Sequence, residues 1–288
     1  MIRILTDSTC DLLPAEAARL GVEVVHMQVR FEDGEVFRDG LDMTPDEFYA
    51  RLVKCDKLPT TSQPSPQDFM DRFEEAKAAG DEVVAILISG QLSGTYQSAR
   101  IAADSCEYDK IHLVDSMNAT LGEQLLVRLA VQMRGEGASA AEIVEELERR
   151  RMDVRLVAVV DDLKYFRKGG RLTGAQALAG SLLGMKPVVA VRDGKVGLAG
   201  KARGMPGAYV ALFKLMDSEG GLDEAMPYMI GYTAHRKAAE PIHRYLTQNL
   251  GLEAPLCRHI GTAIGTHAGP GAAGVAFFAK NTEQDLAL

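Results

Sequence analysis

Between residues 81 and 100 the chain changes grammar twice. Asp81-Glu-Val-Val-Ala-Ile-Leu-Ile88 is an apolar, β-branched run of strand length. Ser89-Gly90-Gln91-Leu92-Ser93-Gly94-Thr95 is a turn of small hydroxyls and glycines, and Tyr96-Gln97-Ser98-Ala99-Arg100 opens a helix. A run this apolar, without alternation, reads as a strand covered on both faces, the situation of a parallel sheet layered with helices. The helix that follows presents unpaired N–H groups at its start, with Ser93 and Thr95 beside them. Such a place suits an anion.

The same alternation runs through the first half. Ile2–Leu5 reads as a strand ending at Thr6-Asp7-Ser8-Thr9, and Val22–Phe31 as one long extended run turned back by Glu32-Asp33-Gly34-Glu35. Thr44-Pro45-Asp46-Glu47 and Ser65-Pro66-Gln67-Asp68 carry the cap, proline and acid spacing of helix starts. Val83–Ile88 and Ile111–Val114 are short strands. Helices are predicted over Ala119–Met133 and from Ser139 to near Arg151. Strands alternating with helices imply a mostly parallel sheet. The second half differs. Strands are predicted at Val154–Val160, Tyr228–Tyr232 and Val275–Ala279, and a hairpin at Met185–Val191 and Lys195–Ala199 around Arg192-Asp193-Gly194. Helices are expected at Gly174–Leu183, Pro206–Asp217 and Ala238–Asn249, and Asp161–Arg171 reads as a polar connection. The expected division is an α/β domain over residues 1–153 and an α+β domain over 154–288.

Composition narrows the function classes. With 47% hydrophobic and 25% charged residues the chain is an ordinary globular one, and its net charge of −8 argues against broad binding to nucleic acid. Four widely spaced cysteines, Cys10, Cys55, Cys106 and Cys257, and a start without a long apolar segment point to reduced thiols and a cytoplasmic location. No metal is implied, since neither H-E-x-x-H nor a Cys/His spacing occurs. Without a G-x-x-x-x-G-K-[ST] loop, ATP binding in that manner is unsupported, and no cofactor is called for.

Three polar clusters stand out. Ser8 and Thr9 are read as helix caps, whereas the glycines flanking Ser93 allow a ligand to approach the backbone closely. Pro64 and Pro66 fix an extended loop that leaves Thr61 and Ser62 facing a cleft, Ser65 being spent on its helix. Gly265-Thr266-His267-Ala268-Gly269-Pro270-Gly271 reads as a glycine-rich loop around one imidazole, which can donate to a carboxylate and carry charge if its pKa rises. Lys168-Gly169-Gly170-Arg171 is a tight basic turn: a solvated loop, a cationic lip beside a pocket, or a docking point. His235 and His243 read as surface residues, and His26, His112 and His259 show no partner pattern. A serine hydrolase or acyltransferase built on Ser93 and His267 would need a third, orienting carboxylate that the sequence does not name.

Taken in order, Thr6-Asp7-Ser8-Thr9, Thr61-Ser62-Gln63-Pro64-Ser65, Leu92–Ala99, Lys168-Gly169-Gly170-Arg171 and Gly265–Gly271 resemble the motifs of the DegV family, in register over nearly the whole chain. Cys10 stands where alanine is common, and Phe166 where leucine is usual. The resemblance implies a bacterial fatty-acid-binding protein of two α/β domains with the acyl chain in a tunnel between them. It maps Thr61, Ser62, Ser93 and Gly94 onto the carboxylate site and His267 onto its neighbour from the second domain. It also implies a non-catalytic role as the substrate subunit of a fatty acid kinase. The bound palmitate-like acid would be presented to a dihydroxyacetone-kinase-like, ATP-dependent partner for phospholipid synthesis, with Arg171 near the pocket mouth and transient contact with a membrane allowed. A regulatory lipid sensor without a kinase is the other implied role.

Overall fold

The computed structural model describes residues 1–174 and 184–280. In chain order the first part comprises β1 (Ile2–Asp7), α1 (Pro14–Leu20), β2 (Val22–Val25), β3 (Gln28–Arg30), β4 (Val36–Arg38), α2 (Pro45–Leu52), β5 (Thr60–Ser62), α3 (Pro66–Ala79), β6 (Glu82–Leu87), α4 (Thr95–Cys106), β7 (Ile111–Asp115), α5 (Thr120–Gly135) and α6 (Ala140–Arg150). Then follow β8 (Val154–Val159), α7 (Lys164–Gly169), β9 (Leu172–Thr173), β10 (Met185–Arg192), β11 (Lys195–Arg203), α8 (Gly204–Ser218), β12 (Tyr228–Tyr232), α9 (Glu240–Arg244), β13 (Leu256–His259), α10 (Thr262–Ala268) and β14 (Ala273–Phe278).

The expected α/β class is observed. A parallel sheet of order β2-β1-β6-β7 is built from the first 115 residues, and a mixed sheet of order β13-β12-β14-β8-β10-β11-β9 from residue 154 onward. β6 is buried from Val83 to Leu87, as its unbroken apolar run requires. The capping boxes at Thr44, Ser65 and Ser139 all form, each hydroxyl accepting from the third helical N–H while the acid there reaches back. Asp193 and Gly194 both adopt positive φ, 49° and 73°, the geometry a two-residue hairpin loop demands between β10 and β11.

Three sequence expectations fail locally. The run Val22–Phe31 is two strands: β2 pairs with β1, and after His26-Met27 the chain leaves that sheet so that β3 can lie between β4 and β5 in a small antiparallel sheet. Residues 161–171 hold the short helix α7 instead of a plain connection. Ser8 and Thr9 do not cap a helix. Ser8 Oγ accepts from Met27 N at 3.0 Å, and Thr9 Oγ1 turns to two carboxylates, so both hydroxyls serve buried polar groups. β13 carries no apolar run and went unread. The helix expected over Gly174–Leu183 lies outside the described residues but for its first.

Buried polar links hold the two sheets together through α5. Arg258 of β13 donates to Gln124 Oε1 of α5 at 3.1 Å and pairs with Glu16 of α1, which also takes Arg128. Within the mixed sheet, neighbouring strands pack closely backbone to backbone. A Cβ at Gly274 on β14 would stand 2.9 Å from both Ala158 Cβ and the Val157 carbonyl. Gly274→Ala is therefore expected to cost about 1–3 kcal/mol, read from a lower urea midpoint at unchanged m-value; an unaltered midpoint would mean that β8 and β14 have room to part.

Candidate functional site

The loop after β6 is held from three directions. Asp7 Oδ2 at the end of β1 accepts from Ile88 N at 2.9 Å. Ser89 N donates to the Asn118 carbonyl at 2.8 Å, and Ser89 Oγ donates to the Gly194 carbonyl at the hairpin tip at 2.8 Å. Leu92 N and Ser93 N both donate back to the Ser89 carbonyl, at 2.9 and 3.1 Å, closing a tight turn. Ser93 Oγ lies 2.8 Å from Thr95 Oγ1 and accepts from Thr95 N at 3.3 Å, at the start of α4. Gln63, just past β5, fixes the next position. Its Nε2 donates to the Gly94 carbonyl at 3.2 Å and to Ser98 Oγ at 2.9 Å, and any Cβ at 94 would overlap its amide. Among the described residues nothing accepts the Gly94 N–H.

Strand alternation decides which hydroxyl of β5 turns inward. Thr61 is half-buried while Thr60 and Ser62 are exposed. Thr61 Oγ1 lies 2.9 Å from His267 Nε2. His267 does not sit in a glycine loop: the residues before Gly269 form α10, because Asp39 supplies its cap from outside. Asp39 Oδ1 accepts from Thr262 N at 2.8 Å, Thr262 Oγ1 at 2.7 Å and Ala263 N at 3.1 Å, and Asp11 Oδ1 accepts from Gly261 N at 2.7 Å. The imidazole in the last turn of α10 then packs on Gly169, where a Cβ would overlap Nδ1. Gly170, at φ 69°, ends α7 in the left-handed region. Arg171 follows, donating through Nε to the Leu92 carbonyl at 3.2 Å and through Nη1 to the Gly169 carbonyl at 2.6 Å. Each position of the Gly169-Gly170-Arg171 turn thus has its own steric or hydrogen-bonding reason.

These groups meet at one end of a cavity with about 970 Å³ of space between its walls, part of it open to solvent. Thr61, Ser93, Arg171 and His267 stand on its wall, with Arg171 exposed at the rim. Ser62 faces solvent, and half-buried Gly94 adjoins Ser93 without itself lining the cavity. The remaining lining is almost wholly apolar: Leu156 and Ala158 from β8 with Val160 just after it, Val189 and Val191 from β10, and Gly274 of β14 with Ala272 just before it. Leu121, Ile260, Ile264 and Phe166 face them. Gly231 on β12 belongs to the same wall; a Cβ there would come within 2.7 Å of Ile260 Cδ1. The mixed sheet therefore forms one side of the space, and the turns that follow β1 and β6, with Thr61 of β5 and the start of α5, close the other. Gly231 and Gly274 carried no readable signal, being single glycines inside strands, a pattern that marks close approach without saying of what.

The imidazole is neutral. Removal from water, and secondarily the charge of Arg171, push His267 down to about 4, opposite to the rise that would have charged it. Its Nδ1 is buried without a hydrogen-bond partner, so no carboxylate orients it, and Ser93 bonds Thr95 rather than His267. His259, partnerless by sequence, lies between the rings of Tyr49 and Tyr232, at centroid distances of 5.5 and 4.7 Å. Among the described residues no cluster of three or more His, Cys, Asp or Glu could hold a metal, and no helix is long and apolar enough to cross a membrane.

A lowered histidine pKa fixes the sign of a pH effect. As pH falls below about 6.5 the unfolded chain takes up a proton at residue 267 before the folded protein does, so stability drawn from the neutral ring is complete above that pH and lost on the way to about 4. The stability difference between the natural protein and His267→Gln should shrink by on the order of 3 kcal/mol between about pH 7 and pH 4, measured by denaturant titration at each pH. A difference that does not change with pH would mean a charged imidazole in the fold.

The DegV family model matches residues 1–280. A DegV domain-containing protein of Caldanaerobacter subterraneus subsp. tengcongensis is 36% identical over 280 residues, 97% of this chain and 99% of the relative. Among solved structures, the fatty-acid-binding DegV family protein of Thermus thermophilus superposes with a TM-score of 0.89 at 35% identity, covering 97% of this chain and 99% of that one. A stearic-acid-binding protein of Eubacterium ventriosum gives 0.87 at 29% identity, covering 96% and 97%. The chain belongs to the DegV family.

Proposed function

We propose that this protein binds a long-chain fatty acid, tail in the apolar cavity and carboxylate among Thr61, Ser93, the Gly94 N–H and His267. One observation carries the reading: a nearly wholly apolar cavity carries on its wall a cluster of neutral donors beside the exposed cation Arg171. An acyl chain of about 14 methylenes gains on the order of 11 kcal/mol on full burial at ~0.8 kcal/mol each, several of which are lost to ordering and association. The tail therefore sets affinity and the head group sets direction. If Nε2 of the neutral imidazole donates to Thr61 Oγ1, the Thr61 hydroxyl hydrogen is free for a carboxylate. Ser93 Oγ is likewise free to donate when Thr95 donates to it. The Thermus thermophilus and Eubacterium ventriosum proteins described above bind fatty acids, which supports the same ligand class here.

The finer reading is that the bound acid is offered in the cytoplasm to a separate ATP-dependent kinase of the dihydroxyacetone-kinase type, yielding an acyl phosphate for phospholipid synthesis. The polar end of the cavity lies at the rim, where an incoming phosphoryl donor could reach a carboxylate oxygen, and Arg171 stands exposed beside it. A serine hydrolase is disfavoured, because Ser93 and His267 are each bonded elsewhere and Nδ1 has no carboxylate.

Ser93→Ala should weaken binding of a fluorescent or isotope-labelled C16 fatty acid by about 1–3 kcal/mol, the cost of leaving a charged acceptor one donor short. Unchanged affinity would remove Ser93 from the site. Arg171→Ala should retain that binding and slow acyl-phosphate formation when the kinase and ATP are supplied; equal loss of binding and transfer would make Arg171 a head-group ligand instead.

A further inference from the structure

Behind the cavity wall lies a group of buried polar side chains that the site just described does not use. Glu123 on α5 and Asp7 at the end of β1 are both 0% exposed, and Thr9, whose residue lines the cavity, is 1% exposed. Thr9 Oγ1 lies 2.5 Å from Asp7 Oδ1 and 2.9 Å from Glu123 Oε2, and Thr6 Oγ1 donates to Glu123 Oε1 at 3.1 Å.

Counting hydrogens shows that one is missing. A threonine hydroxyl has a single hydrogen and can donate it once. Asp7 is a fully engaged carboxylate: Oδ1 accepts from Thr9 N at 2.9 Å and from Thr9 Oγ1, and Oδ2 accepts from Ile88 N. Each oxygen of Asp7 accepts a backbone N–H, which favours the anion there, whereas the two oxygens of Glu123 face threonine hydroxyls; the Thr9 hydrogen therefore goes to Asp7, and Thr9 Oγ1 faces Glu123 Oε2 as an acceptor. Two bare oxygens at 2.9 Å would repel, so the hydrogen between them belongs to Glu123.

We propose that Glu123 is an un-ionised carboxylic acid at neutral pH. It donates to Thr9, which donates to Asp7, and Asp7 in turn holds Ile88 N, the root of the loop that carries Ser93. Glu123 is thus a positioning residue for the head-group loop, an inference whose second half rests on the fatty-acid reading above. The surroundings agree. The titratable and charged groups around it are Asp7 on β1, Cys10 and Asp11 in the turn after it, Asp39 beyond Asp11, and Arg258 of β13, which Glu16 and Gln124 engage. Burial, then the charge of Asp7, push Glu123 well above the usual carboxylate range. The turn that holds Thr9 also brings Asp11 to the start of α10, so one short segment braces both the Ser93 loop and the helix of His267.

The first test needs no ligand. In protein carrying 13C at the glutamate side-chain carboxyl, one resonance is expected to keep the shift of the un-ionised acid at about pH 7 and to vanish in Glu123→Gln; complete ionisation of every glutamate at that pH overturns the proposal even if the variant does not fold. Glutamine offers an oxygen to Thr6 and an N–H to Thr9, so Glu123→Gln should fold and bind the C16 acid with natural affinity. The second test is the pH profile of that binding. Natural protein should lose affinity several-fold as the pH is raised above neutrality and Glu123 ionises, and Glu123→Gln should lose less on the same rise. Parallel profiles would overturn the positioning role. Absence of binding by the natural protein at any pH would instead sink the fatty-acid reading and with it that role, leaving the proton assignment to the resonance alone.

Discussion

A single carboxylate oxygen, Oδ1 of Asp39, receives two backbone N–H groups and one hydroxyl from the start of α10, more than two hundred residues further along the chain. That contact decides where α10 begins, and so where its last turn presents His267. Without it, the imidazole would have no reason to stand against Thr61. Asp11 reinforces the joint from β1's turn through Gly261 N. The polar end of the cavity depends on these two acids, although neither is on its wall. Helices this short are not stable through propensity, so their caps and packing must be supplied by the rest of the fold.

The electrostatics of the site follow from economy of charge. A binding pocket for an anion could use lysines, and this one does not. The ring of His267 is neutral, the hydroxyls are neutral, and Arg171, the one cation on the wall among the described residues, stands at the rim, tied to the Leu92 and Gly169 carbonyls. In the proposed complex, neutral donors would orient a carboxylate without burying a full ion pair, whose desolvation can exceed its attraction. The apolar body of the cavity, from Leu156 and Val191 across to Gly231 and Ile260, then carries the energy of binding by burying hydrocarbon.

Local signals in the sequence were read correctly wherever chemistry acts over three or four residues. The capping boxes at Thr44, Ser65 and Ser139, the Asp193-Gly194 hairpin and the buried strand before Ser89 all depend on neighbours along the chain. What escaped depends on partners far away. Residues 265–268 read as loop because their helix is capped by Asp39, not by a local Ser or Asp. Ser62 was expected to face the cleft beside Thr61, but pairing of β5 with β3 turns it outward. Gly169 seemed a turn residue, whereas it makes room for an imidazole. Glu123 and Gln124 held a hint: two polar residues in the otherwise apolar stretch Leu121–Val127 mark a buried network before its members can be named.

The central claim is that the cavity holds hydrocarbon with its acid end at Thr61 and Ser93. A crystal structure of the protein with a C16 fatty acid tests it most directly. The account predicts continuous density along β8, β10 and β14, with the carboxylate within hydrogen-bond distance of Thr61 Oγ1 and Ser93 Oγ. Density in the reverse direction, or a cavity filled by ordered water while the acid lies elsewhere, would contradict it.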